Sequence, residues 1–340
     1  MERKYRMLLS HAIVGLGPAG ILTLASIPKK FLATTVVIEP SALGGALATS
    51  YGTVVANIPK SKIVEAFHKV PNWATFPLLD KYGAEECPLL ADIMKQMRLL
   101  IAEDLSRVIL RTKRMTGLQQ YSPVEWRIEM GDEVLEVQKV FLCTGAKAKT
   151  LDLPIPHIPL DIALNKTALE QYIGTEESIV VFGLAHSGTL VLKNLKNIGC
   201  SRVTGLYRGK KPFSYARDGD TEGIKQESAN IADEIVANSW GSSTPQLVST
   251  DDFAKAYRCV SEAKVAIYAM GFETPSWTYK SQSGEERKLI FRPATSDFAD
   301  VQNLWGLGIG FPGLYTASNG KQYPDVGFGG FIDAIQKIPM

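Results

Sequence analysis

Two stretches of this sequence repeat the same order of apolar and small residues. In the first, an apolar run at residues 12–14 leads into a glycine-rich turn at 15–20, and a second apolar run follows at 34–38. In the second, another apolar run leads into a small-residue turn at 183–188, and a further run follows at 202–207. Short apolar runs bounded by turn residues are typical of buried parallel strands. The pattern therefore predicts two strand–turn–helix–strand units.

The first turn has the spacing of a dinucleotide-binding loop, G-x-G-x-x-G. Gly15 would make the tight turn, Gly17 would let a pyrophosphate approach the backbone, and Gly20 would let the helix pack against its strand. The free N–H groups and the positive dipole end of the helix would face the phosphates. Glu39 follows Gly20 by nineteen residues and can accept hydrogen bonds from ribose hydroxyls. These features favour FAD at this loop.

The second turn, G-x-A-x-S-G, is followed by different residues at the position that selects between dinucleotide cofactors. Its helix is predicted by Leu190, Val191, Leu195 and Ile198 at helical spacing. Nineteen residues after Gly188 the sequence has Tyr207, and the cations Arg208, Lys210 and Lys211 follow. Cations at this place suit the 2′-phosphate of NADPH. The alternative is that they form a solvated turn.

Composition narrows the class of protein. The chain has 340 residues, 45% of them hydrophobic and 21% charged, with a net charge of +2. This is typical of a globular protein of about two domains, and it offers no electrostatic case for a nucleic-acid partner. A basic start and an apolar stretch to residue 27 mimic a signal peptide, but the glycine loop explains them better. We therefore expect a cytoplasmic protein without a membrane span.

The four cysteines and four histidines are scattered without metal-site spacing, so no metal is predicted. Reduced, buried cysteines are the default interpretation.

Further elements follow from local patterns. Helices are predicted near residues 62–67 and 89–105, and strands are predicted at 107–112, 126–130, 133–137, 140–143 and 265–269, with a hairpin turn at Gly131 and Asp132. The proline-rich stretch 154–159 is predicted to be a linker between domains. The segment 212–263 is predicted to lack strands and to be helical near 229–237 and 252–259. The C-terminal part is predicted to return to the first domain.

Taken in order, these motifs resemble the small two-domain FAD/NAD(P)H oxidoreductases, the thioredoxin-reductase-like and flavin-monooxygenase-like group. The resemblance covers nearly the whole chain, including residues 43–47 and 55–59, the strand ending at Gly145, and the crossing segment 270–275. It implies an α/β fold with two Rossmann-like domains of the three-layer ββα type. The FAD domain would comprise residues 1–150 and 272–340, with an NAD(P)H domain at 151–271 inserted in it. It also implies a small-molecule or small electron-acceptor substrate and a homodimer.

The resemblance also implies two sets of binding residues. The FAD set is Gly15, Gly17, Pro18, Ala19, Gly20, Glu39, Pro40, Gly44, Gly45, Leu47, Asn57, Thr144, Gly145, Val326 and Gly327. The NADPH set is Gly183, Ala185, His186, Ser187, Gly188, Tyr207, Arg208, Lys210 and Lys211.

Four features depart from the family pattern. Residues 165–175 hold no C-x-x-C pair, so direct dithiol exchange is not expected. The family's C-terminal Gly-Asp, whose carboxylate meets the ribityl chain, is replaced by residues 306–312. Cys143 stands where the family has Ala. The segment 212–263 also differs, and we interpret it as a place where specificity resides.

Candidate catalytic side chains are few. His186 and Asp325 are weak candidates for proton handling; the alternatives are a polar residue on the first helical turn and a member of a glycine-rich loop. Tyr215 and Arg217 either grip the adenosine phosphate or face water. The sequence thus predicts an FAD-dependent oxidoreductase that takes a hydride from NADPH and passes it through flavin N5 to an unidentified acceptor. The alternatives are a flavin-dependent monooxygenase and a non-catalytic nucleotide-binding flavoprotein scaffold.

Overall fold

The computed structural model describes residues 8–41, 43–216, 223–317 and 320–340. Arg217 and the basic N-terminal residues lie outside the described residues.

The strands run along the chain as follows: β1 Leu9–Val14, β2 Thr35–Ile38, β3 Ile109–Arg111, β4 Gly117–Ser122, β5 Glu125–Met130, β6 Glu133–Leu142, β7 Lys147–Ala148, β8 His157–Ile158, β9 Ile179–Phe182, β10 Val203–Tyr207, β11 Gln246–Ser249, β12 Val265–Tyr268, β13 Phe272–Glu273, β14 Thr278–Lys280, β15 Glu286–Lys288, β16 Phe291–Arg292, β17 Asp297–Phe298, β18 Leu304–Gly306, β19 Gly313–Thr316 and β20 Gln322–Asp325. The α-helices are α1 Pro18–Ser26, α2 Gly45–Thr49, α3 Lys60–Phe67, α4 Leu90–Leu100, α5 Ala102–Ser106, α6 Leu160–Ala163, α7 Lys166–Leu169, α8 His186–Ile198, α9 Glu227–Val236, α10 Phe253–Glu262 and α11 Phe328–Gln336.

The first sheet has a parallel core in the order β18-β6-β1-β2-β3. The first half of the long strand β6 also pairs antiparallel with β5, and β4 continues this meander. One face of the core carries α1, α3, α4 and α11, with Ile13, Val37 and Phe141 among the buried side chains. The other face packs on the meander through Trp126 and Ile128. This is the three-layer ββα arrangement, and it confirms the predicted fold class.

The second sheet is parallel, in the order β11-β10-β9-β12-β8. Its central strands β9 and β12 are apolar and almost fully buried, as expected for strands covered on both faces. Helices α7, α8 and α9 cover one face, and α10 covers the other. The two sheets are joined by two chain crossings, and the crossing strands β7 and β13 pair antiparallel.

The C-terminal segment rejoins the first sheet. Strand β18 lies parallel to β6, with Trp305 opposite Phe141, and α11 packs on α1 and α3. The sheet that begins at residue 9 is therefore completed by residues beyond 276, as the resemblance implied. The predicted boundaries at 150/151 and 271/272 flank the β7–β13 crossing and stay a prediction.

Four sequence-based predictions about elements need correction. The segment 212–263 does contain a strand, β11, which pairs with β10; only Val248 in it is fully buried, so it lacks the apolar run used to find strands. The two strands predicted at 133–137 and 140–143 are one continuous strand, β6, because Gln138 and Lys139 interrupt the apolar pattern but not the pairing.

The predicted helix at 89–105 is broken at Ile101, whose backbone leaves helical geometry (φ −101°, ψ 3°). The proline-rich linker carries an edge strand, β8, paired with β12. Its prolines are tolerated because this strand lies at the edge of the sheet.

Within the described ranges, no helix has both the length and the apolar character needed to cross a bilayer. Across the same ranges, no cluster of three or more His, Cys, Asp or Glu side chains is placed to hold a metal ion.

Candidate functional site

The two small-residue turns adopt the same backbone geometry. Gly15 has φ +95° and Gly183 has φ +90°, in the left-handed region that favours glycine. A β-carbon on Gly15 would lie 2.4 Å from the Cys143 carbonyl oxygen, and one on Gly183 would lie 2.5 Å from that of Ala269. Both positions therefore require glycine for the turn itself, whether or not a ligand is bound.

The last glycine of each turn sets the distance between helix and strand. A β-carbon on Gly20 would lie 2.0 Å from the Gly15 carbonyl oxygen, and one on Gly188 would lie 1.9 Å from that of Gly183. These glycines let α1 and α8 begin directly against their turns. The N-termini of both helices thus lie at the carboxyl ends of their strands, where anions bind in folds of this kind.

The middle position of each turn faces open space. A β-carbon on Gly17 would have no neighbour closer than the Gly44 carbonyl oxygen at 4.0 Å, and the φ of Gly17 is an ordinary −72°. Protein packing therefore does not demand glycine at this position. In the second turn Ala185 takes the same conformation (φ −78°) and is exposed. The space in front of Gly17 is therefore open to a ligand.

A cavity of about 980 Å³ joins the two turns. It runs past the first turn, the loop around Asn57, the strand end at Thr144 and the start of α11, and it reaches the N-terminus of α8. This volume lies at the upper end of the range for small-molecule and cofactor sites. The predicted FAD residues that line it are Gly15, Gly17, Pro18, Ala19, Glu39, Pro40, Gly45, Leu47, Asn57, Thr144, Gly145, Val326 and Gly327.

Two predicted FAD residues support the cavity without lining it. Gly20 packs beneath the turn, and the Gly44 N–H donates to the Leu16 carbonyl oxygen at 3.0 Å. Of the predicted NADPH residues, His186 and Ser187 line the cavity. Gly183 and Gly188 form the turn behind them.

The Glu39 carboxylate is buried at the end of β2 and is tied to the turn. One oxygen accepts from the Leu16 N–H at 2.7 Å, and the other accepts from the Ser41 N–H at 2.8 Å. Each carboxylate oxygen has a further lone pair. Glu39 therefore holds the loop in shape and can still accept from a ribose hydroxyl in the cavity.

Two residues that line the cavity each carry a buried polar atom without a hydrogen-bond partner among the described residues. They are the hydroxyl oxygen of Thr144 and the indole nitrogen of Trp277. Buried polar groups are nearly always paired, because an unpaired one costs about 1–3 kcal/mol. Both atoms thus lie beside the cavity with unused hydrogen-bonding capacity.

The structure is similar to solved flavoenzymes along almost its entire length. The bacillithiol disulfide reductase of Staphylococcus aureus superposes with a TM-score of 0.63 at 13% identity, with 97% of each chain covered. A flavin-containing monooxygenase of Stenotrophomonas maltophilia gives 0.58 at 14% identity, over 97% of this chain and 98% of that one. The thioredoxin reductase of Lactococcus lactis gives 0.54 at 12% identity, over 97% and 96%. The chain has the fold of the two-domain FAD/NAD(P)H oxidoreductases.

At these identities the similarity concerns the fold. No protein-family model matches the sequence, and no curated protein matches it either. The chemistry must therefore be argued from the side chains of this chain.

The loop at residues 306–312, which stands in place of the Gly-Asp of the family pattern, carries no acid. Gly308 and Ile309 follow β18 and line the cavity beside α1, and a β-carbon on Gly308 (φ +85°) would lie 2.7 Å from the Ala19 β-carbon. Gly308 therefore allows close packing against α1, and the Ile309 side chain offers no hydrogen-bond acceptor. Any polar contact to a ligand from this loop must come from backbone groups.

Several cavity residues were missed by sequence reasoning. Arg114 and Met115 lie just after β3, Lys147 lies on β7, and Trp277 lies after β13. None belongs to a recognisable motif, because they are brought together only when the meander and the C-terminal segment close on the first sheet. The one sequence signal is their position at strand ends.

His186 bridges the two parts of the fold. It shares a hydrogen bond with the buried Ser228 hydroxyl on α9, and it also bonds the Val55 backbone. Burial lowers the pKa of His186, while the Val55 contact and the charge of Glu227 oppose that shift. The ring is thus a neutral contact between the second turn and the loop at 55–57.

Asp325 lies over the first turn of α11. Its carboxylate accepts from the Gly327 N–H at 3.3 Å, and a β-carbon on Gly330 would lie within 2.3 Å of three of its atoms. Burial raises the pKa of Asp325, and the Gly327 contact opposes the rise. Among the residues that line the cavity, Val326 and Gly327 are present and Asp325 is not. Asp325 therefore contacts the residue that precedes α11, Gly327, and does not line the cavity.

The cations after β10 lie beside the second turn but outside the large cavity. Gly183 N–H donates to the Leu206 carbonyl oxygen, so the residues after Leu206 flank the turn. Arg208, Lys210 and Lys211 are exposed, Tyr207 is half-buried, and the Ser249 hydroxyl donates to the Gly209 carbonyl oxygen at 2.9 Å. This placement suits a 2′-phosphate at the edge of the second turn.

The cysteines are free thiols. Cys143 lines the cavity floor, and burial raises its pKa to about 12, against a weak opposing contact from Thr23. Its thiol stays protonated at neutral pH, so it is not a nucleophile there.

Proposed function

We propose that this protein is an FAD-dependent oxidoreductase that takes a hydride from NADPH and delivers the electrons to a small acceptor. The observation that carries the proposal is the single cavity that reaches both glycine turns. Two dinucleotides bound with their pyrophosphates at these turns would meet within one space. Hydride transfer needs such a meeting, because the reacting atoms must come within about 3–3.5 Å of each other.

The residues around the first turn fit FAD. The open space at Gly17 would take the pyrophosphate, and Glu39 would accept from the ribose. Thr144, whose hydroxyl lacks a protein partner, would bond a polar edge of the cofactor. When bound, the flavin would supply two-electron chemistry between the nicotinamide and the second substrate.

The residues around the second turn fit NADPH. The N-terminus of α8 would face its pyrophosphate, and Arg208 with Lys210 and Lys211 would contact the 2′-phosphate. His186 and Ser187 would orient the cofactor where the second turn enters the cavity. The low pKa of His186 keeps this ring uncharged, so it adds no cation beside the nicotinamide.

The side chains of this chain would mainly position and enclose the cofactors. Cys143 stays protonated, so a thiolate route through it is not expected. Asp325 contacts Gly327 and does not line the cavity. The proposed role of the protein is therefore orientation and exclusion of water, with no independent acid, base or nucleophile.

The test is an anaerobic visible spectrum of the purified protein before and after addition of NADPH, with NADH alongside. We expect flavin bands that bleach faster with NADPH. Bound flavin that NADPH does not reduce would contradict the proposal and favour a nucleotide-binding scaffold. If reduction succeeds, admission of oxygen with a product assay separates a monooxygenase from a reductase that uses another acceptor.

A further inference from the structure

The cations at the end of β3 differ in whether they are paired. The Arg111 guanidinium lies 2.7 Å from the Glu133 carboxylate. The Lys113 ammonium group lies 3.3 Å from the same carboxylate and 3.2 Å from that of Asp132. Arg114 is exposed and makes no hydrogen bond or ion pair with any described residue, yet it lines the large cavity. Its guanidinium is therefore free to contact a ligand there.

The backbone that carries Arg114 is held on both sides. The Arg111 carbonyl oxygen accepts from the Glu39 N–H at 2.9 Å, which ties the segment to the end of β2. Two residues beyond Arg114, the Thr116 N–H donates to the Glu129 carbonyl oxygen on β5 at 2.8 Å. The side chain thus extends from a fixed backbone, so that a ligand contact needs less ordering of the protein on binding.

The order of the strand ends indicates which part of FAD this side chain would meet. Strands β1, β2 and β3 are parallel neighbours, so their carboxyl ends lie in a row at a spacing of about 4.8 Å. The first turn follows β1, Glu39 follows β2, and Arg114 lies shortly after β3. FAD with its pyrophosphate at the first turn and its adenosine ribose at Glu39 would extend its adenine towards the end of β3.

The residue types at this end suit a flat, uncharged base. A guanidinium is planar and stacks on aromatic rings. Met115, the next residue, is buried and also lines the cavity, so it offers an apolar surface beside the cation. The pyrophosphate would lie two strands away, at about 10 Å, which favours the adenine over the phosphates as the group that Arg114 contacts.

We propose that the Arg114 guanidinium stacks on the adenine of FAD beside Met115, and that this contact makes the site select FAD over FMN. The inference rests on the proposed function in one respect, which is that FAD is the cofactor of the first turn.

The test uses the full chain freed of flavin, with Arg114→Ala and three probes. Because Arg114 is exposed and unpaired, its replacement should leave the urea unfolding midpoint unchanged. FAD affinity, followed by flavin fluorescence, should fall about 5- to 30-fold. ADP, which carries the adenosine half, should lose the same factor in calorimetry, whereas FMN affinity should not change. Unchanged FAD affinity, or an equal loss for FMN, overturns the proposal.

Two further variants separate stacking from charge. Arg114→Lys keeps the positive charge but lacks the planar group, so it should restore FAD affinity only in part. Full restoration by lysine would show that charge alone matters and would overturn the stacking contact. The matched control is Arg107→Ala, at an exposed arginine that precedes β3 and does not line the cavity. An equal loss of FAD affinity in this control would also overturn the proposal.

This inference and the proposed function fail separately. FAD that depends on Arg114 for its affinity but is not reduced by NADPH would keep the adenine contact and refute the hydride transfer. Flavin that NADPH reduces, in an Arg114→Ala protein with wild-type affinity for FAD, would refute the adenine contact alone.

Discussion

The most direct test of the first turn compares two glycines three residues apart. At Gly17 a β-carbon meets nothing closer than 4.0 Å, and the backbone φ of −72° is open to any residue. At Gly20 a β-carbon would lie 2.0 Å from a backbone oxygen. Gly17→Ala should therefore change the free energy of unfolding of the FAD-free protein by no more than about 1 kcal/mol. Gly20→Ala should destabilise it by about 1–3 kcal/mol or more, because the clash is with backbone.

For FAD affinity the ranking of the two substitutions is reversed, and Gly17→Ala is the more damaging one. The methyl group of Gly17→Ala would occupy the space proposed for the pyrophosphate, and overpacking of this kind costs about 1–3 kcal/mol. FAD affinity should fall by roughly 5- to 150-fold, since about 1.4 kcal/mol corresponds to a factor of ten. Gly17→Val adds two further methyl groups at the same place and should leave no flavin bound.

The assays are urea unfolding of the FAD-free proteins and titration with FAD followed by flavin fluorescence. Wild-type flavin content in Gly17→Val would refute the assignment of the first turn. A Gly17→Ala protein as unstable as Gly20→Ala would refute the claim that the space at Gly17 belongs to a ligand.

Three further predictions follow from individual side chains. Thr144→Val should leave the FAD-free protein as stable as wild type, because the hydroxyl has no partner among the described residues. It should weaken FAD binding by about 0.5–1.5 kcal/mol in the same titration. An unchanged affinity would contradict the proposed contact. Arg208→Ala should weaken NADPH binding by about 1–3 kcal/mol, with little effect on NADH binding. Dissociation constants for both cofactors measure this, and Arg202→Ala, at another exposed arginine, is the control. Equal losses for both cofactors would rule out Arg208 as a contact to the 2′-phosphate. Burial, with a smaller contribution from Lys139, lowers the pKa of His11 from 6.5 to about 4. As the pH drops, His11 therefore takes up a proton in the unfolded state first. The free energy of unfolding should fall by about 3 kcal/mol between these two pH values. Denaturation curves of His11→Phe should show a flatter pH dependence, and an identical dependence would disprove the contribution of His11.

The sequence alone determined the parts of the fold that are local in the chain. Gly15, Gly20, Gly183 and Gly188 could be assigned because a strand, a tight turn and a close-packed helix are consecutive, and their steric demands concern neighbouring backbone. The position of Glu39 followed from the fixed length of such a unit. The order of the motifs was enough to predict the fold class, which the structure confirms.

The tertiary structure decided what depends on distant segments. Strand β11 has too few buried residues to be recognised by pattern, and only its pairing with β10 defines it. Lys147, Asp161 and Tyr268 come from separate parts of the chain and line one cavity beside the crossing of β7 and β13. Hydrophobic periodicity reports which face of an element is buried, but not which other element covers it. The cavities, and the unpaired polar groups of the residues that line them, are therefore defined only by the closed tertiary structure.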